Sequence, residues 1–411
     1  MALSDNISKS GHPVDPDTAD SQGSEAAVEE IAFRCRHFRN DRPCSFHKKE
    51  GVHCSSCPHR DLADQRILVI KLDSPGDVLR TTCLLPSLKR TYPGSYITWM
   101  TREAGRPLLE NNPAIDRLVE QWEEMFTICN SEYFHVAINP DANPQAARLL
   151  EMVNADAKLG MGWSAAGHVI CYNQEAEQWL RMGLFDDLKR ENTESYQRLI
   201  HRLCRLELVD PRPLLYLTDQ ERRSAEEHLQ SLGLDRQRPV IGINTGAGPR
   251  WPQKSWTVDH QIGLIHLIQD RHPAWQVLLL GGPEESEKNR LLQESCEDMA
   301  ITASPHPVRE FAALVQQTHV LVTADTLALH IGLATARQIV ALFGPTSRAE
   351  IDMCGLGEKL SANLECLGCY RTDCDRSPNC MELLAPETVR AAIERRLQKT
   401  GSPWQRSPRQ T

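Results

Sequence analysis

Long apolar runs are missing from this 411-residue chain. No stretch approaches the ~18 apolar residues a spanning helix needs. The opening residues, MALSDNISKSGHPVDPDTAD, hold no apolar core of the kind an export signal carries, so a cytoplasmic location is expected. An excess of positive charge is also missing: 46 Lys and Arg stand against 55 Asp and Glu. That balance argues against a protein that coats nucleic acid. Seven acids against one lysine fall in residues 1–30, which read as a disordered acidic tail. Hydrophobic residues make up 40% and charged residues 25%, an ordinary globular balance with enough chain for several domains.

Cysteine is plentiful instead. Eight of the 14 fall in two tight groups, Cys35/Cys44/Cys54/Cys57 and Cys366/Cys369/Cys374/Cys380. Without an export signal, disulfides are a poor explanation. The first group, C-x8-C-x9-C-x2-C, sits in a polar module (31–65) with few large apolar residues and with His37, His47, His53 and His59 interleaved. Four thiolates in a module without a core suit a structural metal site, zinc first and an iron–sulfur cluster second. Unliganded thiols are the competing reading. The second group, C-x2-C-x4-C-x5-C, admits a further metal site but has no physical role we can assign.

From Arg66 the texture changes. ILVIKL (67–72) is a short β-rich run, followed by the turn DSPGD and a helical pattern from Val78 to about Arg90. Further strands are expected at Tyr96–Met100 and His135–Asn139, with a small-residue helix near 145–153. A helical stretch over 191–217 ends in PRPLLYL, an interdomain link. A second series then follows, with strands at 240–244, 277–281, 319–323 and 339–343 and helices between them. Such alternation predicts parallel, doubly wound sheets. Two of them imply domains at 66–217 and 218–385, with a helix and tail at 386–411. The last segment holds six Lys or Arg against two acids, a solvated helix end or a weak anionic-surface contact. Ligands of such sheets bind at the carboxyl ends of strands.

Four strand ends carry candidate chemistry. In Lys71-Leu-Asp-Ser-Pro-Gly-Asp77 the last aspartate is either a helix N-cap or a general base facing a cleft. In Asn244-Thr-Gly-Ala-Gly-Pro-Arg250-Trp-Pro-Gln-Lys254, Thr245, Gly246 and Lys254 make either a phosphate-binding loop or an ordinary turn with solvated cations. It matches neither the Walker A nor the dinucleotide glycine pattern. Thr323-Ala-Asp325-Thr326-Leu-Ala-Leu-His330 runs from strand into helix. Asp325 or Thr326 caps that helix or meets a diphosphate at its N-terminus, with His330 one turn along. Phe343-Gly-Pro-Thr346 is the fourth. Taken together, they suggest a phosphate-containing ligand.

In order, these segments resemble the heptosyltransferase family, the ADP-heptose-using glycosyltransferases of lipopolysaccharide inner-core assembly. The likeness lies in ILVIKLDSPGDVLRTTCLLPSLKRTYPGSYITWMT, LLENNPAIDRLV, NADAKLGMGW, GINTGAGPRWPQKSW, VLLLGG, VTADTLALHIGLATARQIVALFGPT and CLGCYRTDCDRSPNCM, over roughly residues 66–396. The resemblance implies a GT-B fold, two Rossmann-like domains facing a cleft, with the N-terminal Cys-rich module as an addition. It implies inverting sugar transfer with no required cofactor, Asp77 as base, Lys254 on the diphosphate, and Asp325, Thr326 and His330 in the donor motif. Leu327 stands where the family usually has glycine. The implied partners are a nucleotide sugar, ADP-heptose, and a glycan or lipid-linked glycan acceptor, with peripheral inner-membrane contact and no nucleic acid. Aspartate pairs of the D-x-D type occur only at Asp15–Asp17 and Asp373–Asp375, neither after an apolar strand. Arg80, Lys89, Arg102 and Arg106 could meet an anionic acceptor or simply lie on solvated helix faces. The alternatives are a UDP-sugar-using GT-B transferase or epimerase, and a non-catalytic nucleotide-sugar-binding protein with a metal docking module.

Overall fold

The computed structural model describes residues 31–235, 237–248, 251–296, 300–302 and 306–399. The acidic tail at 1–30, Arg250 and residues 400–411 lie outside the described residues. The chain divides between Leu62 and Ala63.

The first unit has almost no apolar core: Ala32 is its one buried hydrophobic residue among those described. An antiparallel bridge between Cys35 and Leu62 closes it. Its helix Ser45–Glu50 starts at Cys44, whose sulfur accepts from the His47 N–H at 3.5 Å. Packing is aromatic, with Phe46 stacked on His59 at 4.0 Å.

The second unit holds two six-stranded sheets. The first comprises β1 (Arg66–Ile70), β2 (Tyr96–Met100), β3 (Arg117–Val119), β4 (Tyr133–Asn139), β5 (Asn154–Trp163) and β6 (Val169–Cys171), in the order β3-β2-β1-β4-β5-β6. The second comprises β7 (Val240–Asn244), β8 (Gln276–Leu280), β9 (Ala300–Thr302), β10 (Val320–Ala324), β11 (Gln338–Leu342) and β12 (Gly357–Leu360), in the order β12-β11-β10-β7-β8-β9. Both have the same doubly wound topology, parallel throughout except for β5 with β6. Central strands such as Ile67–Ile70 and Val320–Ala324 are buried on both faces, as a sheet covered by helices requires.

The two doubly wound sheets are those expected, and the seven expected strands differ in their limits by a residue or two, while β3, β5, β6, β9 and β12 are additions that sequence reading passes over. The helix expected over 78–90 is broken into Pro75–Thr81 and Leu84–Thr91. Pro86 explains the break: it has no N–H to donate to Thr82, and its ring crowds that carbonyl. The expected helical stretch 191–217 is shorter too. Tyr196–Leu203 is helical, and the chain then runs without regular structure through Pro211 and Pro213.

In each sheet the winding reverses beside the first strand, between β1 and β4 and between β7 and β10. Crevices for ligands open at such reversals, beyond the carboxyl ends of the strands. The segments after β1, β4, β7 and β10 carry Asp77, Asp141, Lys254 and Asp325.

Candidate active site

At the end of β1 the chain buries a lysine. Lys71 is 4% exposed, and its ammonium donates to the Asp141 carboxylate and the Asp73 carbonyl. Asp141 also accepts from the Leu72 N–H at 3.2 Å, and Asn139 ties it to β5 through Met161. The DSPGD turn thus rests on a buried ion pair. Helix Pro75–Thr81 then starts, with Ser74 as N-cap and Pro75 in its first position. Asp77 is therefore not the N-cap. It holds the third helical position, where its Oδ2 accepts from the Ser74 hydroxyl at 3.0 Å. Its Oδ1 pairs with the Arg80 guanidinium at 2.7 Å. Arg80 in turn lies over the Tyr196 ring at 3.7 Å, and the Tyr196 hydroxyl shares a hydrogen bond with Thr81 at 2.6 Å.

The second sheet supplies the opposing half. After β7 the Asn244 amide donates to the Gly246 carbonyl at 2.9 Å and reaches the Thr323 and Thr326 hydroxyls at 3.2 and 3.4 Å. A Cβ on Gly246 would stand 1.9 Å from the Glu285 carboxylate, so a larger residue there would have to displace the Glu285 side chain. Lys254 donates to both the carbonyl and the carboxylate of Asp325, each at 3.0 Å. Thr326 is the N-cap of helix Leu327–Ala334, six of whose residues, His330 included, are buried.

These halves meet at Gly76. A Cβ placed there would lie 3.2 Å from His330 Cδ2 and 3.7 Å from Leu327 Cα. The charges form one system. Burial opposes ionisation of Asp77, yet Arg80, Lys71, His330 and the Ser74 hydroxyl together hold its carboxyl well below the usual range. Asp325 is also held low against its burial, chiefly by Lys254. Burial, with Arg80 second, pushes His330 down to about 4, so its imidazole is neutral at pH 7. A cavity of about 330 Å³ opens beside this system, lined by Asn244, Gly246–Gly248, Glu285, Phe311, Thr326 and Leu327.

A glycosyltransferase family 9 (heptosyltransferase) pattern matches residues 127–379. The chain belongs to this family. It is therefore a glycosyltransferase, and its paired doubly wound lobes are those of the GT-B fold. Lipopolysaccharide heptosyltransferase 2 of Escherichia coli is 23% identical over 312 residues, 69% of this chain and 83% of that one. A glycosyl transferase family 9 structure from Veillonella parvula superposes with a TM-score of 0.67 at 21% identity, over 83% of this chain and 99% of the other. The E. coli ADP-heptose lipopolysaccharide heptosyltransferase II structure does so with a TM-score of 0.59 at 19% identity, over 81% and 99%.

In this family 9 enzyme the fold brings Asp77, Lys254, Asp325, Thr326 and His330 into one electrostatic neighbourhood, and it sets Gly246, Thr326 and Leu327 on the cavity. Thr245 is not brought there. Its N–H donates to Leu280, its hydroxyl is engaged by Leu280 and Asn289, and its carbonyl accepts from Gln261 and Lys288. Sequence reading passed over Tyr196, Asp141 and Glu285. Tyr196 lies 115 positions from its partner Thr81, and no local signal joins them.

The metal expectation for Cys35, Cys44, Cys54 and Cys57 is not shown among the described residues. The four cysteines and His37, His47, His53 and His59 do line one cavity of about 310 Å³. No three His, Cys, Asp or Glu side chains among the described residues are grouped to hold a metal ion. Several are committed elsewhere: Cys44 caps a helix, His47 bonds the Val52 carbonyl at 3.0 Å, and His59 pairs with Glu50 at 2.9 Å.

Proposed function

We propose that this enzyme is an inverting heptosyltransferase that moves a heptose from ADP-heptose to a glycan acceptor such as lipopolysaccharide core. The observation that carries the reading is the opposition of Asp77 on the first lobe to the Lys254–Asp325 pair and the start of helix Leu327–Ala334 on the second, joined at the Gly76–His330 contact. In this reading the lobe over 66–217 receives the acceptor and the lobe over 218–385 holds the donor. The names of the relatives, including the ADP-heptose enzyme of E. coli, support the choice of donor and acceptor. No helix among the described residues is long and apolar enough to cross a membrane. Work on a lipid-linked glycan would therefore place the enzyme at the inner face of the membrane as a peripheral partner.

The acceptor hydroxyl attacks the anomeric carbon from the side opposite the diphosphate, and Asp77 takes its proton. A positioned base of this kind contributes ~10²–10⁴-fold. The diphosphate leaves into a site prepared for anions, made of Lys254 and the N–H groups at the start of helix Leu327–Ala334. Transfer then requires no cofactor. Leu327 lines the donor-side cavity and gives this enzyme a narrower space there than glycine would leave.

Calorimetry with ADP-heptose, ADP-glucose, UDP-glucose and UDP-N-acetylglucosamine, with transfer to truncated lipopolysaccharide measured in parallel, tests the reading. ADP-heptose is expected to bind tightest and to be the donor that is turned over. Preference for a UDP-sugar would replace it with the hexosyltransferase or epimerase alternative.

A further inference from the structure

Each lobe presents its cation already neutralised by a carboxylate. Lys254 is held by Asp325 at 3.0 Å, and Arg80 by Asp77 at 2.7 Å. A diphosphate entering between them would meet two carboxylates unless those pairs open. Arg80 is built to make that change. Its guanidinium lies over the Tyr196 ring at 3.7 Å, a cation–π contact that does not depend on the Asp77 pair. Its Nε is buried and has no hydrogen-bond partner among the described residues. Its charge is felt by acids on both sides of the junction, Asp77 on the first lobe and Asp325 and Glu350 on the second, with the Tyr196 hydroxyl beside it. Asp77 in turn faces Lys71, Arg80 and His330.

We infer that Arg80 is a switching counter-ion: it neutralises Asp77 while the donor site is empty and turns to the donor's diphosphate when the nucleotide sugar enters, freeing Asp77 to act as base only in the loaded enzyme. The inference rests on the reading of a nucleotide-sugar site above and adds a residue to it. A carboxylate paired with a guanidinium is a weak base, because the ion pair stabilises its charged form. Turning Arg80 from Asp77 to a bound diphosphate would transfer that stabilisation to the diphosphate. The exchange couples donor loading to base strength without a lid. Arg80 is thus a positioning residue for Asp77 and a ligand of the donor.

A double-mutant cycle on ADP binding, read by calorimetry and so independent of turnover, tests this. Arg80→Met is expected to weaken ADP binding ~10-fold, the weight of one charge-assisted hydrogen bond. Asp77→Asn is expected to tighten it ~3–10-fold, since Arg80 no longer has to leave a partner. In the Arg80→Met background Asp77→Asn should have no such effect. If Asp77→Asn tightens ADP equally in both backgrounds, simple relief of charge repulsion explains the gain and the switch is refuted. If it tightens ADP in neither, the switch is refuted as well. Arg80→Lys, which keeps the charge but lacks the planar guanidinium that lies over Tyr196, should restore part of the binding lost in Arg80→Met. Its failure to do so, with an unchanged melting temperature, would also count against the switch. Wild-type protein that does not bind ADP at all would instead overturn the nucleotide-sugar reading itself.

Discussion

Replacing Asp77 by asparagine separates chemistry from folding. The change is isosteric and removes one charge. The side-chain oxygen can still face Arg80, now 2.7 Å from Asp77 Oδ1. The amide nitrogen then faces the Ser74 hydroxyl, now 3.0 Å away, which can accept instead of donate. The helix start survives with the loss of one weak contact, the 3.5 Å approach of the Ser74 N–H. The Asp77–Arg80 pair is partly exposed, 36% on the aspartate side. Arg80, only 14% exposed, keeps the asparagine oxygen as a hydrogen-bond partner, so it is not left as an unpaired buried ion. The barrier to transfer, by contrast, should rise by ~2.7–5.5 kcal/mol, the equivalent of ~10²–10⁴-fold in rate. Initial rates of ADP release at saturating donor, with melting curves and ADP titrations on the same preparation, measure all three quantities. A kcat lowered by two to four decades, with folding intact and ADP bound at least as well, is the expected outcome. A kcat within tenfold of wild type would remove Asp77 as the base and with it the proposed mechanism. A pH consequence follows as well. The Asp77 carboxyl is held below its usual range, so it contributes stability above that range and loses it as pH falls through its folded value. Asp77→Asn should lack that part of the acid-side loss.

Other perturbations probe the rest of the site. Lys254→Ala leaves Asp325, 17% exposed, without its cation; it should cost ~3–5 kcal/mol of stability in urea unfolding and weaken ADP binding. A Lys254→Ala protein as stable as wild type would show that this pair is not a buried unit. Gly76→Ala places a methyl 3.2 Å from the His330 ring. That forces helix Leu327–Ala334 back by a few tenths of an ångström, so kcat should fall with little change in the unfolding midpoint. His330, pushed down to about 4, binds its proton more readily unfolded than folded. Wild-type stability should therefore decline as pH drops from the ordinary histidine value of ~6.5 towards 4, and His330→Gln should flatten that slope in melting scans. Lys71→Met strands Asp141 beneath the catalytic turn, and should destabilise the protein more than Lys71→Arg does.

The alternation of short apolar strands and amphipathic helices was enough to reveal two doubly wound halves, because side-chain periodicity is a local property of the chain. The same holds for the strand-end loops: DSPGD, NTGAG and ADTLALH announce tight turns and helix starts through residues that are neighbours in sequence. Asp77, Lys254, Asp325, Thr326 and His330 could be named on that basis. Their meeting could not, since Asp77 and Asp325 come from different sheets and share one field where Gly76 approaches His330 and where Arg80 acts on both. Position along the chain also leaves a side chain's partners open. Thr245 sits in the right loop, yet its hydrogen bonds are consumed by Leu280, Asn289, Gln261 and Lys288. The cysteines of 35–57 are spaced for a metal, yet spacing fixes neither the direction of a sulfur nor its competing bonds. Thus the sequence by itself determined the class of fold and which strand-end loops carry the candidate residues. The tertiary structure alone decided their charge states and pairings, with Arg80 on Asp77 and Lys254 on Asp325, because Coulombic interactions and burial depend on distances through space between segments far apart in the chain.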